Sequence, residues 1–319
     1  MQFRCFVDIC EIKTLSLSHD GTFAFTHLYP GVKVLNLAGI EGDTLCLVEL
    51  VNLTTLQHFM LEDSRLTAIN LTLKPLGSTV QIVATPLRSI TFFQSHGIRE
   101  VTIERTHLDS IPVTLYEQSS LELLSIQQSR IRTVNFDLLA SLLHLRLVNL
   151  SDNKIHKLSI DQHQPVCYRS LQFIELQGNL LTQFDFGALL GMPYLDYVSL
   201  RQNRLRSIEN TASRAPVDPC HGDPKYHHET ATPFGSILSI DLVGNRLTVV
   251  NFSIFAPMHN LNKLLIGHNS LTEVYATEDQ LPDGLEYIDL SFNQLSAKAD
   301  FGALMSVKSL DVDSNQDRS

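Results

Sequence analysis

The 319-residue sequence contains no apolar run close to the roughly 18 to 20 residues needed to cross a bilayer. It also lacks a basic tract, since the net charge is −10 and only 18% of the residues are charged. A chain of this kind gives no electrostatic signal for nucleic acid or for an anionic membrane surface. We therefore expect no membrane span, and no nucleic acid among the partners.

Sequence motifs of catalytic and cofactor sites are missing as well. There is no Gly-x-Ser-x-Gly elbow, no glycine-rich phosphate loop and no His-Glu-x-x-His zinc motif. The 13 histidines are scattered along the chain, and solvation explains most of them. The sequence thus predicts a binding module rather than an enzyme, with no catalytic residues, no cofactor and no metal site.

What the chain does contain is one apolar pattern that recurs along nearly its whole length. A clear copy has apolar residues at Leu195, Val198, Leu200 and Leu205, with Asn203 between the last two. Thirteen units begin at Ile12, Val32, Leu56, Gly77, Ile98, Leu121, Leu145, Leu171, Leu195, Ile237, Leu261, Leu285 and Val307. Most intervals are 20 to 26 residues, and a single interval of 42 residues, after Leu195, must hold an insertion.

This pattern is the leucine-rich repeat, whose units bury their apolar side only by stacking on their neighbours. An amphipathic helix would not return an asparagine at one fixed phase of a 24-residue period. We predict an α/β solenoid, a leucine-rich repeat horseshoe with a parallel β-sheet on its concave face. Residues 1–11 form an N-terminal cap, about 13 repeats fill 12–319, and an irregular insertion occupies 211–234.

The early repeats lack the asparagine at its usual position. Later units carry Asn153, Asn179, Asn203, Asn245, Asn269, Asn293 and Asn315, whereas the first six have Asp20, Ile40, Ser64, Thr85, Thr106 and Ser129. Hydroxyls can partly replace the amide in bonding to adjacent coils, but the side chain of Ile40 cannot bond at all. We therefore expect the Val32 repeat to be distorted, or its register to be shifted by one residue.

The insertion at 211–234 is rich in proline, which predicts an irregular loop. It contains Cys220, His221, His227 and His228, which are possible metal ligands, but their spacing matches no recognised metal site. A solvated polar loop with adaptable contacts is the better interpretation. Because long loops often carry function, this loop is a candidate contact region.

The strand face supplies a second candidate surface. Residues that flank the inward leucines point out of the sheet with a period of two, and in the middle and later coils they form an aromatic and acidic strip. Exposed aromatics beside a polar rim are typical of protein interfaces; the alternative is that these side chains only shield neighbouring strands. The candidate protein-binding residues are Leu147, Phe173, Glu175, Tyr197, Asp241, Lys263, Tyr287 and Asp289.

The five cysteines suggest two disulfides and one odd thiol. Cys5 and Cys10 precede the first repeat, where a short disulfide loop suits an extracellular cap, although two buried thiols would fit as well. Cys167 and Cys220 lie on the same flank, and pairing them would pin the insertion, but a separation of two repeats strains the reach of a disulfide. Cys46 is expected to pack in the core, with an intermolecular bond as the alternative.

The compartment is inferred from glycosylation tripeptides. Asn52, Asn70 and Asn251 are candidate acceptors, whereas Asn149 matches the tripeptide but is expected on the inner strand face. The start Met-Gln-Phe-Arg-Cys5 has no charged and apolar leader. Either a leader is missing from this chain or the protein is cytosolic, and we favour a secreted protein whose signal peptide is not in this chain.

Recurring dipeptides in the return segments carry a family resemblance. Asn135-Phe136, Asp185-Phe186, Asn251-Phe252 and Asp300-Phe301, with Arg4-Cys5-Phe6-Val7-Asp8 before the first repeat, resemble the mosquito leucine-rich immune proteins. The resemblance implies a secreted innate-immune recognition protein that binds pathogen surfaces or other proteins. The partners it implies are complement-like thioester proteins or another leucine-rich repeat protein.

The sequence departs from the long members of that family near its end. Those members resemble a repeat domain followed by a Cys-rich segment and a coiled coil, whereas no heptad run occurs here and the last repeat, with Asn315, has no closing cap. We expect a truncated chain, a short member or a partner at that end, and coiled-coil pairing is in doubt. Two other functions stay open: the ectodomain of a Toll-like or adhesion receptor, and an intracellular leucine-rich repeat scaffold.

Overall fold

The computed structural model describes most of the 319 residues. The exceptions are 21–22, 48–52, 54, 72–77, 93–96, 161–165, 215–219, 221–233, 297–298, 300 and 316–319. The predicted insertion, with His221, His227 and His228, and the candidate acceptor Asn52 therefore fall largely or wholly outside the described residues. The chain divides into two compact units, Met1–Val134 with Ser141–Lys154 and Asn135–Ala140 with Ile155–Ser319, called unit 1 and unit 2 below.

Short strands and single turns of 3-10 helix make up both units. The strands are β1 (Gln2–Phe6), β2 (Ile9–Lys13), β3 (Val34–Ala38), β4 (Thr44–Cys46), β5 (His58–Glu62), β6 (Ala68–Leu71), β7 (Thr79–Val83), β8 (Ser89–Phe92), β9 (Glu100–Glu104), β10 (Leu123–Gln127), β11 (Thr133–Asn135), β12 (Leu147–Asn149), β13 (Lys157–Ser159), β14 (Phe173–Glu175), β15 (Gln183–Asp185), β16 (Tyr197–Ser199), β17 (Ser207–Glu209), β18 (Ser239–Asp241), β19 (Val249–Asn251), β20 (Lys263–Leu265), β21 (Glu273–Tyr275), β22 (Tyr287–Asp289) and β23 (Ser309–Asp311). The described helices are Phe23–His27, Val113–Glu117, Phe136–Ser141, Phe186–Leu189, Thr211–Arg214, Phe252–Ile254, Glu278–Gln280 and Ala303–Ser306.

In unit 1 the main sheet has the strand order β1-β2-β3-β5-β7-β9-β10-β12. Only β1 is antiparallel to its neighbour, and the other pairs are parallel. Alternate residues of each strand point into the core, as Leu35 and Leu37 of β3 do, and both are fully buried. A second, three-stranded sheet, β4-β6-β8, forms on the return side of three coils.

In unit 2 the main sheet has the order β14-β16-β18-β20-β22-β23, all parallel. Two strand pairs, β15–β17 and β19–β21, lie on the return side. Tyr197 of β16 pairs directly with Ser239 of β18 although 211–234 intervenes in sequence. The insertion therefore leaves the ladder of the main sheet unbroken, and the predicted leucine-rich repeat fold is confirmed.

The asparagine ladder explains why one phase of the repeat is fixed. The amide of Asn203 donates to the carbonyl oxygens of Leu176 in the preceding coil and Leu200 in its own, and its Oδ1 accepts from the backbone N–H of Leu181. Equivalent bonds recur at Asn245, Asn269, Asn293 and Asn315. Each asparagine thus satisfies buried backbone groups that would otherwise destabilise the stack.

Hydroxyls take over this role in the coils of unit 1 that carry Ser64, Thr85, Thr106 and Ser129. The Oγ of Ser64 accepts from the backbone N–H of Ile40, and the hydroxyl of Thr85 accepts from the backbone N–H of Ser64. Because the backbone N–H of Ile40 donates to the next coil, the apolar side chain of Ile40 does not interrupt the bonding between coils. That side chain is fully buried. The expectation of a distorted or shifted Val32 repeat is therefore wrong, since β3 pairs in regular register on both sides.

The register of the first repeat does need correction. Ile12 pairs with Leu37, the sixth position of the next unit, rather than with Val32, its first. Leu15, not Asp20, consequently occupies the ladder phase, and Leu15 is fully buried. The misassignment arises because Ile12, Leu15, Leu17 and Asp20 reproduce the spacing of a unit start. The role of 1–11 as a cap stays a prediction.

Phenylalanines fill the return side of unit 2. Phe184, Phe186, Phe255 and Phe252 form a chain of edge-to-face contacts with ring centroids 5.1, 5.5 and 6.1 Å apart. The preceding Asp185 and Asn251 cap the following helical turns by accepting from the backbone N–H two residues on. Asp185-Phe186 and Asn251-Phe252 are therefore explained by capping and core packing.

The cysteines form the two disulfides considered from the sequence. Cys5 is joined to Cys10 across the β1–β2 hairpin, and Cys167 is joined to Cys220 with Cα atoms 5.1 Å apart. The separation of two repeats in sequence does not prevent this disulfide. Cys220 is buried beside the preceding coils, with its Sγ 3.6 Å from the carbonyl oxygen of Gly191. The expectation for Cys46 is wrong: it is exposed, since Leu45 takes the inward position of β4.

Candidate protein-binding surface

Two rows of side chains cover the face of the unit 2 main sheet that points away from the core. The parallel register aligns the first row as Phe173, Tyr197, Ser239, Lys263, Tyr287 and Ser309. It aligns the second row as Glu175, Ser199, Asp241, Leu265, Asp289 and Asp311. The residue between the two rows in each strand, such as Val198, points into the core. Hydrogen bonding of the backbone therefore fixes which surface residues are neighbours.

The first row is a partly exposed aromatic strip. The side chain of Phe173 is 36% exposed, and the adjacent Tyr197 is half-buried. At the other end the ammonium of Lys263 lies 5.6 Å from the ring centroid of Tyr287, a cation–π contact. Burial raises the pKa of both Tyr197 and Tyr287, so both hydroxyls stay neutral at physiological pH.

The second row is acidic, and one of its carboxylates is buried. Asp241 is only 6% exposed, and its Oδ1 accepts from the backbone N–H of Val243. Its Oδ2 lies 3.9 Å from a guanidinium nitrogen of Arg201. Burial raises the pKa of Asp241, although the Val243 bond and the Arg201 charge oppose that shift. Burial likewise raises the pKa of Glu175.

Asp289 occupies space that a glycine leaves free. A Cβ on Gly267, in the neighbouring coil, would lie 2.8 Å from Oδ2 and 2.9 Å from Oδ1 of Asp289. The carboxylate is held there by the backbone N–H and the hydroxyl of Ser291, both of which donate to Oδ1. The absence of a side chain at Gly267 therefore lets Asp289 lean across the strand face.

Seven of the eight candidate residues predicted from the sequence lie in these two rows. Leu147 lies in unit 1, where it is half-buried and pairs with Leu123. The structure thus places an aliphatic pair on the strand face of unit 1 and the aromatic and acidic strip on that of unit 2.

Sequence reasoning missed an aromatic pair beside the second row. The rings of His268 and Phe292 are stacked with centroids 4.2 Å apart and an interplanar angle of 7°. Each follows its strand by three residues and occupies the same phase in adjacent coils. The strand-face pattern read from the sequence covers only residues within the strands, so the stacking of coils is needed to reveal this contact.

A shallow depression of about 520 Å³ lies beside the first row, at the beginnings of β18, β20 and β22. Its lining combines the polar side chains of Asn262, Lys263 and Glu286 with the exposed Leu238. Among the described residues, no group of three or more His, Cys, Asp or Glu is placed to hold a metal ion. None of the helices described is long and apolar enough to cross a membrane.

Comparison with known proteins agrees with this architecture. The leucine-rich repeat family model matches residues 236–295. No curated protein matches the sequence. The geometry of the coils and the match over 236–295 show a leucine-rich repeat fold.

Three solved structures illustrate the likeness. A leucine-rich repeat protein of Leptospira interrogans has 19% identity, a TM-score of 0.53, and coverage of 90% of this chain and 73% of its own. The complex of TLR13 with ssRNA13 has 19% identity and a TM-score of 0.71; the match spans 97% of this chain but only 44% of that one. The LRIM1/APL1C complex has 17% identity, a TM-score of 0.54, and coverage of 77% and 51%. At these identities the likeness shows the fold alone.

Proposed function

We propose that this chain is a secreted recognition protein of innate immunity that binds a protein partner through the two rows of unit 2. The observation that carries the proposal is the alignment of partly exposed aromatics with one buried and several half-buried carboxylates on a face supported by paired strands. Aromatic side chains lose little conformational entropy on binding and dominate interface energetics. A rigid strip of this kind is suited to macromolecular recognition.

Retention of Asp241 on this face supports a binding role. A carboxylate that is 6% exposed destabilises the fold unless its partners compensate, and here the ion pair with Arg201 is long, at 3.9 Å. Proteins commonly keep such unfavourable groups where function requires them. A cationic group of a partner would compensate the charge of this carboxylate.

The extracellular location is supported by the two disulfides and by the surface positions of two candidate acceptors. Asn251 is exposed at the end of β19, and Asn70 is half-buried in β6. We expect peptide mass spectrometry of secreted protein to find glycan on Asn251 and Asn70 and on Asn52, and both disulfides oxidised. Bare asparagines with free thiols at Cys5 and Cys10 would contradict secretion and favour an intracellular scaffold.

The proposed partner is another leucine-rich repeat protein or a complement-like thioester protein. The resemblance of the Asn/Asp-Phe dipeptides to mosquito leucine-rich immune proteins supports this class. So does the likeness to the LRIM1/APL1C complex, in which LRIM1 is solved together with APL1C.

A receptor ectodomain is the second candidate function. The TM-score of 0.71 with the TLR13 structure, over 97% of this chain, favours it. Full transcript sequencing distinguishes the two: a membrane-spanning segment encoded in the same reading frame would support a receptor, and a stop codon without one would support the secreted protein.

Replacing Phe173 and Tyr197 together by alanine is expected to weaken partner capture at least about tenfold, because paired interface aromatics contribute about 2 kcal/mol or more. The fold should be retained, since both side chains lie on the outer face and the core residues Ile174 and Val198 are unchanged. Capture is measured by pull-down from haemolymph with the tagged chain, followed by identification and quantification of bound proteins.

The matched control is the double variant Val249→Ala and Tyr275→Ala. Both residues are exposed apolar side chains of unit 2, at 42% and 54%, but they lie on β19 and β21 of the return side. The control should capture the partner normally. Equal capture by the Phe173/Tyr197 variant and by the unmodified chain would show that the first row is not the binding site.

A further inference from the structure

Phe292 occupies a backbone conformation that a bulky residue seldom adopts. Its φ is 54°, in the left-handed region, and its side chain is 51% exposed. Every coil has a residue of positive φ at this phase, and the fold accepts Gly178 and Gly244 there without strain. An exposed phenylalanine at such a position is unfavourable for the fold alone, which points to a binding role.

One face of the Phe292 ring is covered by a stacked ring, and the side chain is still 51% exposed. His268 stacks on it from the preceding coil at 4.2 Å. The following coil has Ser314 at the same phase, whose side chain is too small to cover the second face. Half of the Phe292 side chain is therefore accessible aromatic surface.

The surroundings of this surface are acidic. The backbone N–H of Phe292 donates to the carbonyl oxygen of Asp313, whose side chain is exposed. Asp311 accepts from the backbone N–H of Asp313, and Asp289 lies in the adjacent strand at the same level as Asp311. Two described lysines of these coils are engaged elsewhere, Lys263 on the ring of Tyr287 and Lys308 with Glu286.

We propose that Phe292, with Asp289, Asp311 and Asp313, forms a docking surface for an arginine-bearing segment of a protein partner. A guanidinium is planar, stacks on aromatic rings and binds carboxylates with two parallel hydrogen bonds, so it matches both features of the surface. This inference rests on the proposed function and specifies the chemistry of the partner. The proposed contact surface then extends from the first row to the residues that follow β22 and β23.

The test uses a fluorescein-labelled peptide with two arginines and the same peptide with citrulline, which keeps the shape of arginine without its charge. Phe292→Gly should weaken binding of the arginine peptide about 3- to 30-fold, the range of cation–π contacts. Asp313→Asn should weaken it as well and reduce its dependence on salt. Anisotropy titrations with the intact chain measure all of these affinities.

Gln202→Gly is the matched control. Gln202 is exposed, has the same backbone phase with a φ of 53°, and lies in another coil of unit 2. It should bind the arginine peptide as the unmodified chain does. Unfolding is not expected for either glycine variant, because glycine relieves a positive φ. Equal binding of arginine and citrulline peptides, or normal binding by Phe292→Gly, would overturn the proposal.

The pull-down separates this inference from the proposed function. Loss of partner capture in the Phe173/Tyr197 variant with full capture by Phe292→Gly would overturn the arginine site alone. Arginine binding that depends on Phe292, with no protein captured from haemolymph by the unmodified chain, would support the arginine site and count against the proposed function.

Discussion

Leu176→Asp is expected to abolish folding of unit 2 and, with it, secretion. Leu176 is fully buried, and its carbonyl oxygen accepts from both Asn179 and Asn203. An aspartate there would place an unpaired carboxylate in the dry core, at a cost of several kcal/mol. Since a whole domain has a margin of about 5 to 15 kcal/mol, one such substitution removes most of it. Leu200→Asp should behave in the same way, because Leu200 is also fully buried.

The measurements are secreted yield, circular dichroism and thermal melting. Gln177→Asp is the matched control, because it introduces the same carboxylate one residue further along the chain, at a half-buried position of the turn that follows β14. The control should be secreted and should melt within a few degrees of the unmodified chain. A folded, secreted Leu176→Asp protein would mean that this position is not part of a continuous dry core.

The fold could be predicted from the sequence because its rules are local and repeated. An inward leucine such as Leu176 or Leu200 and a ladder residue such as Asn203 serve the same contacts in every coil, so one phase is reinforced many times. The register was assigned wrongly in the first coil. Ile12 was given the wrong phase because β1 lies antiparallel to β2 and imposes no repeat of its own.

The surface was less predictable for a physical reason. Strand periodicity placed Phe173, Tyr197 and Tyr287 in one row, because the backbone register alone decides that arrangement. It did not predict the stacking of His268 on Phe292, which depends on backbone angles in the turn. Nor did it predict that Asp289 leans over Gly267, since that requires knowing which carboxylate oxygen finds a donor.

Disulfide reach was also underestimated for a physical reason. Spacing in sequence suggested that Cys167 and Cys220 lay two coils apart, whereas their Cα atoms are 5.1 Å apart. An insertion does not have to follow the stacking direction of the coils. The positions of the flanking repeats therefore do not determine where a residue within the insertion lies. Repeat counting describes the coils well and their insertions poorly.

Asn203→Ala is expected to lower the free energy of unfolding by about 2 to 4 kcal/mol, combining one orphaned buried donor with a small cavity. The donor is the backbone N–H of Leu181, whose acceptor is Oδ1 of Asn203. The carbonyl oxygens of Leu176 and Leu200 lose one bond each but keep another, from Asn179 and Asn245. Each of these carbonyl oxygens therefore accepts from two ladder asparagines, whereas the backbone N–H of Leu181 has a single acceptor in the ladder.

Asn203→Ser should have a smaller effect than Asn203→Ala, because the chain already uses a hydroxyl at this phase in Ser64 and Ser129. Arg204→Ala, at the exposed neighbouring position, is the control and should change stability by less than about 0.5 kcal/mol. Urea unfolding followed by circular dichroism gives all three values. If alanine and serine were equally harmless at Asn203, side-chain bonding would not be what holds the coils in phase, and leucine packing alone would have to set their register.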